Sequence, residues 1–141
     1  MIMSTTWYAF GAVGPGSISV SATTFDVWNS GNVSATLGLS VTDPAPWVSV
    51  MSGPAAFDQY ELDAQFNFPG PPAGWSSTNH ALRPASPGPD FCDGTRFAGA
   101  NEDGVSVGMG QTRHLWVRFL APVLTAQVDT QPMVITITAQ P

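Results

Sequence analysis

Residues 60–68 read YELDAQFNF, and the alternation within them decides the fold. Tyr60, Leu62, Ala64, Phe66 and Phe68 fall on one side of an extended chain, and Glu61, Asp63, Gln65 and Asn67 fall on the other. Successive side chains of a strand point to opposite faces, so this period of two separates a core face from a water face. The same rhythm recurs in Val33, Ala35, Leu37, Leu39 and Val41, and again in Met133, Ile135, Ile137 and Ala139. Antiparallel strands packed on one side carry this signature. Leu115 to Leu120 (LWVRFL) is apolar on both faces except at Arg118. That pattern belongs to a central strand, or to one whose second face meets something else. Helical periodicity is nearly absent.

Working outward, strands are expected near residues 5–12, 17–28, 33–41, 46–50, 59–68, 104–108, 114–120 and 132–139. Asn29-Ser30-Gly31-Asn32 supplies residues that tolerate positive φ, which predicts a hairpin between FDVW and VSATLGLSV. The stretch 69–104 differs, with Pro69, Pro71, Pro72, Pro84, Pro87 and Pro89 among many Gly, Ser and Asn residues. A connection this long inside a compact domain is commonly functional or ordered by a partner. Its aromatics Trp75, Phe91 and Phe97 predict that it packs down as a lid. The expected fold is all-β: a single antiparallel β-sandwich of immunoglobulin-like or jelly-roll Greek-key type with a long Pro/Gly-rich insertion. Residues 1–16 read as an N-terminal β-prone arm and hinge, and 17–141 as the sandwich domain, with 69–104 as an ordered loop insertion.

Composition narrows the function. The 141 residues suffice for one domain with a proper core. Only 10% are charged, well under the usual quarter of a soluble domain. There is no lysine, and Arg83, Arg96, Arg113 and Arg118 face ten acids for a net charge of −6. A phosphate backbone would be repelled, so no nucleic-acid partner is expected. The missing lysines also remove a Lys–Asn isopeptide cross-link, a lysine nucleophile and a P-loop. Cys92 is alone, which forbids an intrachain disulfide and reads as a small buried side chain. No window approaches 18 apolar residues, so no transmembrane helix is expected. MIMSTTW lacks the basic start and apolar core of a signal peptide. The chain is then either a mature or trimmed form, or is exported by another route.

Two stretches carry a resemblance. FDVWNSGNVSATLGLSVTDPAPWVSV resembles the opening of immunoglobulin-like modules of secreted bacterial and archaeal surface proteins: a strand, an Asn-x-Gly-Asn turn, an alternating strand, then Pro and Trp. VGMGQTRHLWVRFLAPVLTAQVDTQPMVITITA is similar to their ending, with a Gly-rich turn, a strand finishing in Ala-Pro and a closing alternating strand. The likeness covers residues 25–50 and 105–139, about half the chain. It implies the sandwich fold and a surface, adhesive or spacer role. The long insertion and the extra N-terminal run depart from it.

Each candidate chemistry meets a plainer reading. Asp90, Asp93, Glu102 and Asp103, in DFCDG and NEDG, are a weak calcium candidate, since calcium takes oxygen ligands from flexible loops. Asp-Gly is also a common turn, and no metal or other cofactor is expected. His80 and His114 lack a metal-ligand spacing, and His114 is expected to end a strand at the surface. Nothing flanks Cys92 as a nucleophile elbow would, so the chain is read as not an enzyme. Trp28, Trp47 and Trp116 read as core. Trp75, beside Asn79 and His80, is the one plausible sugar platform, or else an anchor for its loop or a neighbour. Arg118 within its apolar strand requires a carboxylate or carbonyls, within the chain or across an interface.

These readings combine in the N-terminal arm. Trp7, Tyr8, Phe10 and Val13 precede the bend Gly14-Pro15-Gly16. A sheet lacking one strand can accept such an arm from a neighbour, and a heterologous joint that does not close yields a filament. The expected protein is a non-enzymatic extracellular or cell-surface structural subunit whose partners are copies of itself, forming a filament or surface layer by strand exchange. A carbohydrate-binding or adhesion module using Trp75 and 69–104, with a surface glycan as partner, is the alternative. A virus structural or decoration protein is the third.

Overall fold

A computed structural model describes residues 1–3 and 6–141. It is almost entirely β, in two sheets. The strands are β1 (Ile2–Met3), β2 (Ile18–Val20), β3 (Phe25–Trp28), β4 (Thr36–Thr42), β5 (Val48–Ser49), β6 (Gln59–Phe66), β7 (Asp90–Phe91), β8 (Thr112–Leu120) and β9 (Val134–Gln140), with one short helix, α1 (Ser77–His80). The large sheet runs β1-β3-β8-β6-β5, with β2 also paired to β8; the small sheet runs β7-β4-β9. All pairings are antiparallel except β5 with β6.

The alternating residues build the core as their period requires. Tyr60, Leu62, Ala64 and Phe66 of β6 and Leu115, Val117 and Phe119 of β8 meet Leu37, Leu39 and Val41 of β4. β8 is the central strand, flanked by β6 on one side and by β2 and β3 on the other. Cys92 is buried in the same core.

Three expectations need correction. The hairpin between FDVW and VSATLGLSV does not form: β3 pairs with β1 and β8, whereas β4 pairs with β7 and β9 in the other sheet. Asn29 turns this corner, its buried Nδ2 donating to the Val33 carbonyl at 2.9 Å and the Val107 carbonyl at 2.8 Å. The same Asn-rich chemistry that suits a hairpin here carries the chain between sheets. Residues 104–108 contribute only an isolated bridge, Ala35 to Val107. The strand expected over 5–12 is also absent from residues 6–12, while Thr5 lies outside the described residues.

Segment 69–104 is hydrogen-bonded to both sheets. Leu82 N–H donates to the Leu62 carbonyl at 2.8 Å and Phe66 N–H to the Phe97 carbonyl at 2.9 Å, which covers the free edge of β6. Val41 N–H donates to the Arg83 carbonyl at 3.0 Å and Cys92 N–H to the Leu37 carbonyl at 2.9 Å, along β4. The segment therefore links the two sheets, and the side chains of Leu82 and Phe97 enter the core. Gly99 passes so close to β6 that an added Cβ would lie 2.1 Å from the Phe66 carbonyl oxygen.

Candidate functional site

The polar side of YELDAQFNF does not face water. Glu61 and Asp63 are each 0% exposed, and Gln65 and Asn67 are buried. β8 places Arg118 directly opposite Asp63 and Trp116 opposite Gln65. Residues 71–80 lie against this face, with Ser77 of α1 bonded to Glu61 and Pro71, Pro72 and Gly74 beside Gln65 and Asn67.

Arg118 joins the two carboxylates. Its Nε donates to Asp63 Oδ2 at 2.6 Å, its Nη2 makes a second, closer contact to the same oxygen, and Glu61 Oε1 lies 3.8 Å away. Glu61 is held further by the Gly53 N–H at 2.5 Å and by the Ser77 hydroxyl at 2.6 Å. The guanidinium lies 5.3 Å from the Trp75 ring centre, and His80 meets the same indole edge-on at 5.8 Å. Two buried carboxylates thus share one cation. Burial, and next the neighbouring Glu61, push the Asp63 carboxyl up to about 7 against the pull of Arg118.

His80 is the second fixed point. Ser76 N–H donates to its Nδ1 at 2.9 Å, so that nitrogen carries a lone pair and the ring is neutral with its proton on Nε2. Its Nε2–H faces the Gln65 side-chain amide at 2.8 Å, so the amide turns its oxygen to accept this proton. Burial, with the positive charges of Arg118 and Arg96, holds His80 below the usual histidine value, against the opposing effect of the Ala98 carbonyl.

Two of the buried side-chain oxygens left without a hydrogen-bond partner among the described residues lie here: Asp63 Oδ1 and Asn67 Oδ1. Beside them a cleft of about 440 Å³ is bounded by Pro71, Pro72 and Gly74 on one side and Ala98, Gly99 and Asn101 on the other. A second cleft of about 400 Å³ lies against Glu102, Asp103 and Arg113.

The structure thus gathers Trp75, His80 and Arg118 at one place. Asn79 stands at its margin, its carbonyl accepting the Phe97 N–H at 3.0 Å. The intersubunit pair considered for Arg118 gives way to a pair within the chain, because β6 presents Asp63 in register. Sequence reading missed Glu61, Asp63 and Gln65 as site residues, since alternation alone assigns them to water; the unmatched Arg118 opposite them was the available signal.

The calcium candidates are each engaged elsewhere. Asp90 pairs with Arg83 at 3.0 Å and Arg96 at 2.7 Å. Asp93 accepts the N–H groups of Thr95 and Arg96, which hold its carboxyl below the usual range. Glu102 accepts the His114 N–H at 2.9 Å and meets its ring at 3.0 Å, and Asp103 caps the Val105 N–H at 3.1 Å. Among the described residues no three His, Cys, Asp or Glu side chains converge as a metal site. His114 lies inside β8, half-buried, rather than at a strand end.

The arm residues sit on their own domain. Tyr8 accepts the Ala22 N–H at 2.9 Å through its hydroxyl, and Phe10 packs 5.5 Å from Phe119. Val13 also touches the core, while Trp7 is 76% exposed. Gly16 takes φ 67° and its N–H donates to Pro122, fixing the bend with Gly14 and Pro15. Trp47 stacks on Phe119 at the core margin. Trp116 is buried, its indole N–H bonded to the Asn67 carbonyl at 3.0 Å, whereas Trp28, also read as core, is exposed.

No helix among the described residues is long and apolar enough to cross a membrane. Comparison with protein families, curated proteins and solved structures finds no match to this chain.

Proposed function

We propose that this chain is a non-enzymatic extracellular structural protein that assembles with copies of itself into a filament or surface layer. The observation that carries this reading is the outer edge of β9. Seven residues, VITITAQ, pair with β4 on one side only among the described residues, and none is charged. An uncharged strand edge of this length offers main-chain donors and acceptors to another strand, where ordinary edges carry Lys, Pro or a bulge against it. Ile135 and Ile137, on the core side of β9, are only partly buried. A further strand alongside would cover them.

The N-terminal arm is the donor this reading favours. Over residues 6–13 it forms no strand, and side-chain anchors at Phe10 and Val13 hold it to the core. The same anchors can occupy the equivalent seat of a neighbour, with the Gly14-Pro15-Gly16 bend as the pivot.

The test is sedimentation velocity and negative-stain electron microscopy of the full chain beside Val134→Lys/Thr136→Lys, two substitutions on the exposed side of β9. Ordered polymers from the unmodified chain and smaller species from the charged-edge variant are expected. A second variant, Phe10→Ser, should weaken assembly if the arm is exchanged and leave it unchanged if only the edge is used. A full chain that stays monomeric at high concentration overturns the reading.

A further inference from the structure

The covered face of the large sheet contains an imbalance that the assembly reading does not use. Glu61 and Asp63 stand two residues apart on one side of β6, both wholly buried, with Arg118 as the one cation in contact with them among the described residues. The other groups bonded to the pair among the described residues are uncharged, namely the Gly53 N–H from the 50–53 turn and the Ser77 hydroxyl from α1, while Trp75, with neutral His80 edge-on to it, lies against Arg118. Arg96 is turned away, donating to Asp90 and to the Thr78 and Ala81 carbonyls. Two carboxylates against one guanidinium leave an excess negative charge in a desolvated place, which is costly unless something neutralises it. Asp63 Oδ1 has no donor among the described residues. A proton on one carboxyl supplies both needs, because a protonated carboxyl donates to its neighbour and removes the excess charge.

We infer that Glu61 and Asp63 share one proton, and that this proton is a latch holding α1 and the Trp75 turn onto the large sheet. The latch has two arms. Glu61 holds α1 through the Ser77 hydroxyl, and Asp63 fixes Arg118 under the Trp75 ring. Loss of the proton sets the carboxylates against each other and loosens both arms together. The affected segment borders the cleft beside Gln65, Asn67 and His80, so release of the latch would widen that cleft in solutions more alkaline than neutral. The raised Asp63 value accords with this geometry.

The experiment is a carbon-13 carboxyl titration of the full chain, with amide hydrogen-exchange protection of residues 75–80 followed over the same pH range. One of the two carboxyls is expected to titrate near neutrality, with protection of α1 falling about tenfold or more across that step. Asp63→Asn, whose amide can donate to Glu61 while its oxygen accepts from Arg118, should hold the protection constant. If both carboxyls titrate in the ordinary acidic range, the shared proton is wrong. If one titrates near neutrality while protection stays unchanged, the latch is wrong. Should the variant fail to fold, the titration and exchange of the unmodified chain decide both points alone.

Discussion

Arg118 shows how much one residue holds. It interrupts an otherwise apolar strand, and among the described residues its guanidinium is the sole cation in contact with the Glu61 and Asp63 carboxylates. Removing one partner of a buried ion pair leaves the other charge uncompensated, which costs about 3–5 kcal/mol. Arg118→Met should therefore destabilise the chain by about that much in urea unfolding at mildly alkaline pH. The loss should be smaller in mild acid, where a proton on Asp63 removes part of the stranded charge. An equal loss at both pH values would mean that Arg118 acts through packing on Trp75 rather than through charge. Cys92 lies at the other extreme. Burial pushes its thiol up to about 12, and its sulfur lies within 2.5 Å of where a Cβ on Gly104 would stand. A thiolate is the reactive form, so Cys92 should resist alkylation in the native chain and react readily once the chain is denatured, as mass spectrometry would record.

At the scale of elements, α1 and β6 set opposing pH limits. The folded chain holds His80 below its usual value, so the unfolded chain binds a proton there first. His80 thus contributes stability that is present above the ordinary histidine pKa and is lost as pH falls through the lowered folded value. Asp63 has the opposite sign: its folded value is raised, so its contribution is complete below the ordinary aspartate range and is lost as pH rises through about 7. Over the span between the lowered His80 value and the ordinary histidine value the two contributions run against each other, one rising with pH and the other falling. His80→Gln should therefore steepen the decline of thermal stability with rising pH below neutrality, and Asp63→Asn should remove that decline and uncover the rise that His80 contributes. A substitution that changes neither slope would detach these groups from the profile. The core face of β6 was legible in YELDAQFNF because period two is a local property. Burial of the opposite face was not, because its cover comes from residues 71–80 and 97–101, where Pro, Gly and Ala leave no periodicity to read. The Asn29 corner was misleading for a related reason: φ-tolerant residues mark a reversal but not which sheet the chain enters next.

At the scale of the whole molecule, the cations are already spent. Arg83 and Arg96 serve Asp90, Arg113 serves the Asp103 and Thr112 carbonyls, and Arg118 serves Glu61 and Asp63. With net charge −6, two copies approaching each other repel, and neither has a lysine to offer across the joint. Assembly must then rest on forces that salt does not screen, namely main-chain hydrogen bonds along β9 and contact between the exposed apolar residues near it, such as Val134. The opposing repulsion is screened, since the Debye length shrinks from about 10 Å at 0.1 M to about 3 Å at 1 M ionic strength. Raising sodium chloride across that range should therefore increase the assembled fraction at fixed protein concentration, as read by sedimentation velocity. The charged-edge variant should respond weakly, because screening cannot restore a strand partner that the lysines obstruct. If salt instead dissolves the polymer, the joint is built on ion pairs, at least one arginine must leave its internal partner to make it, and the strand-edge account of assembly fails.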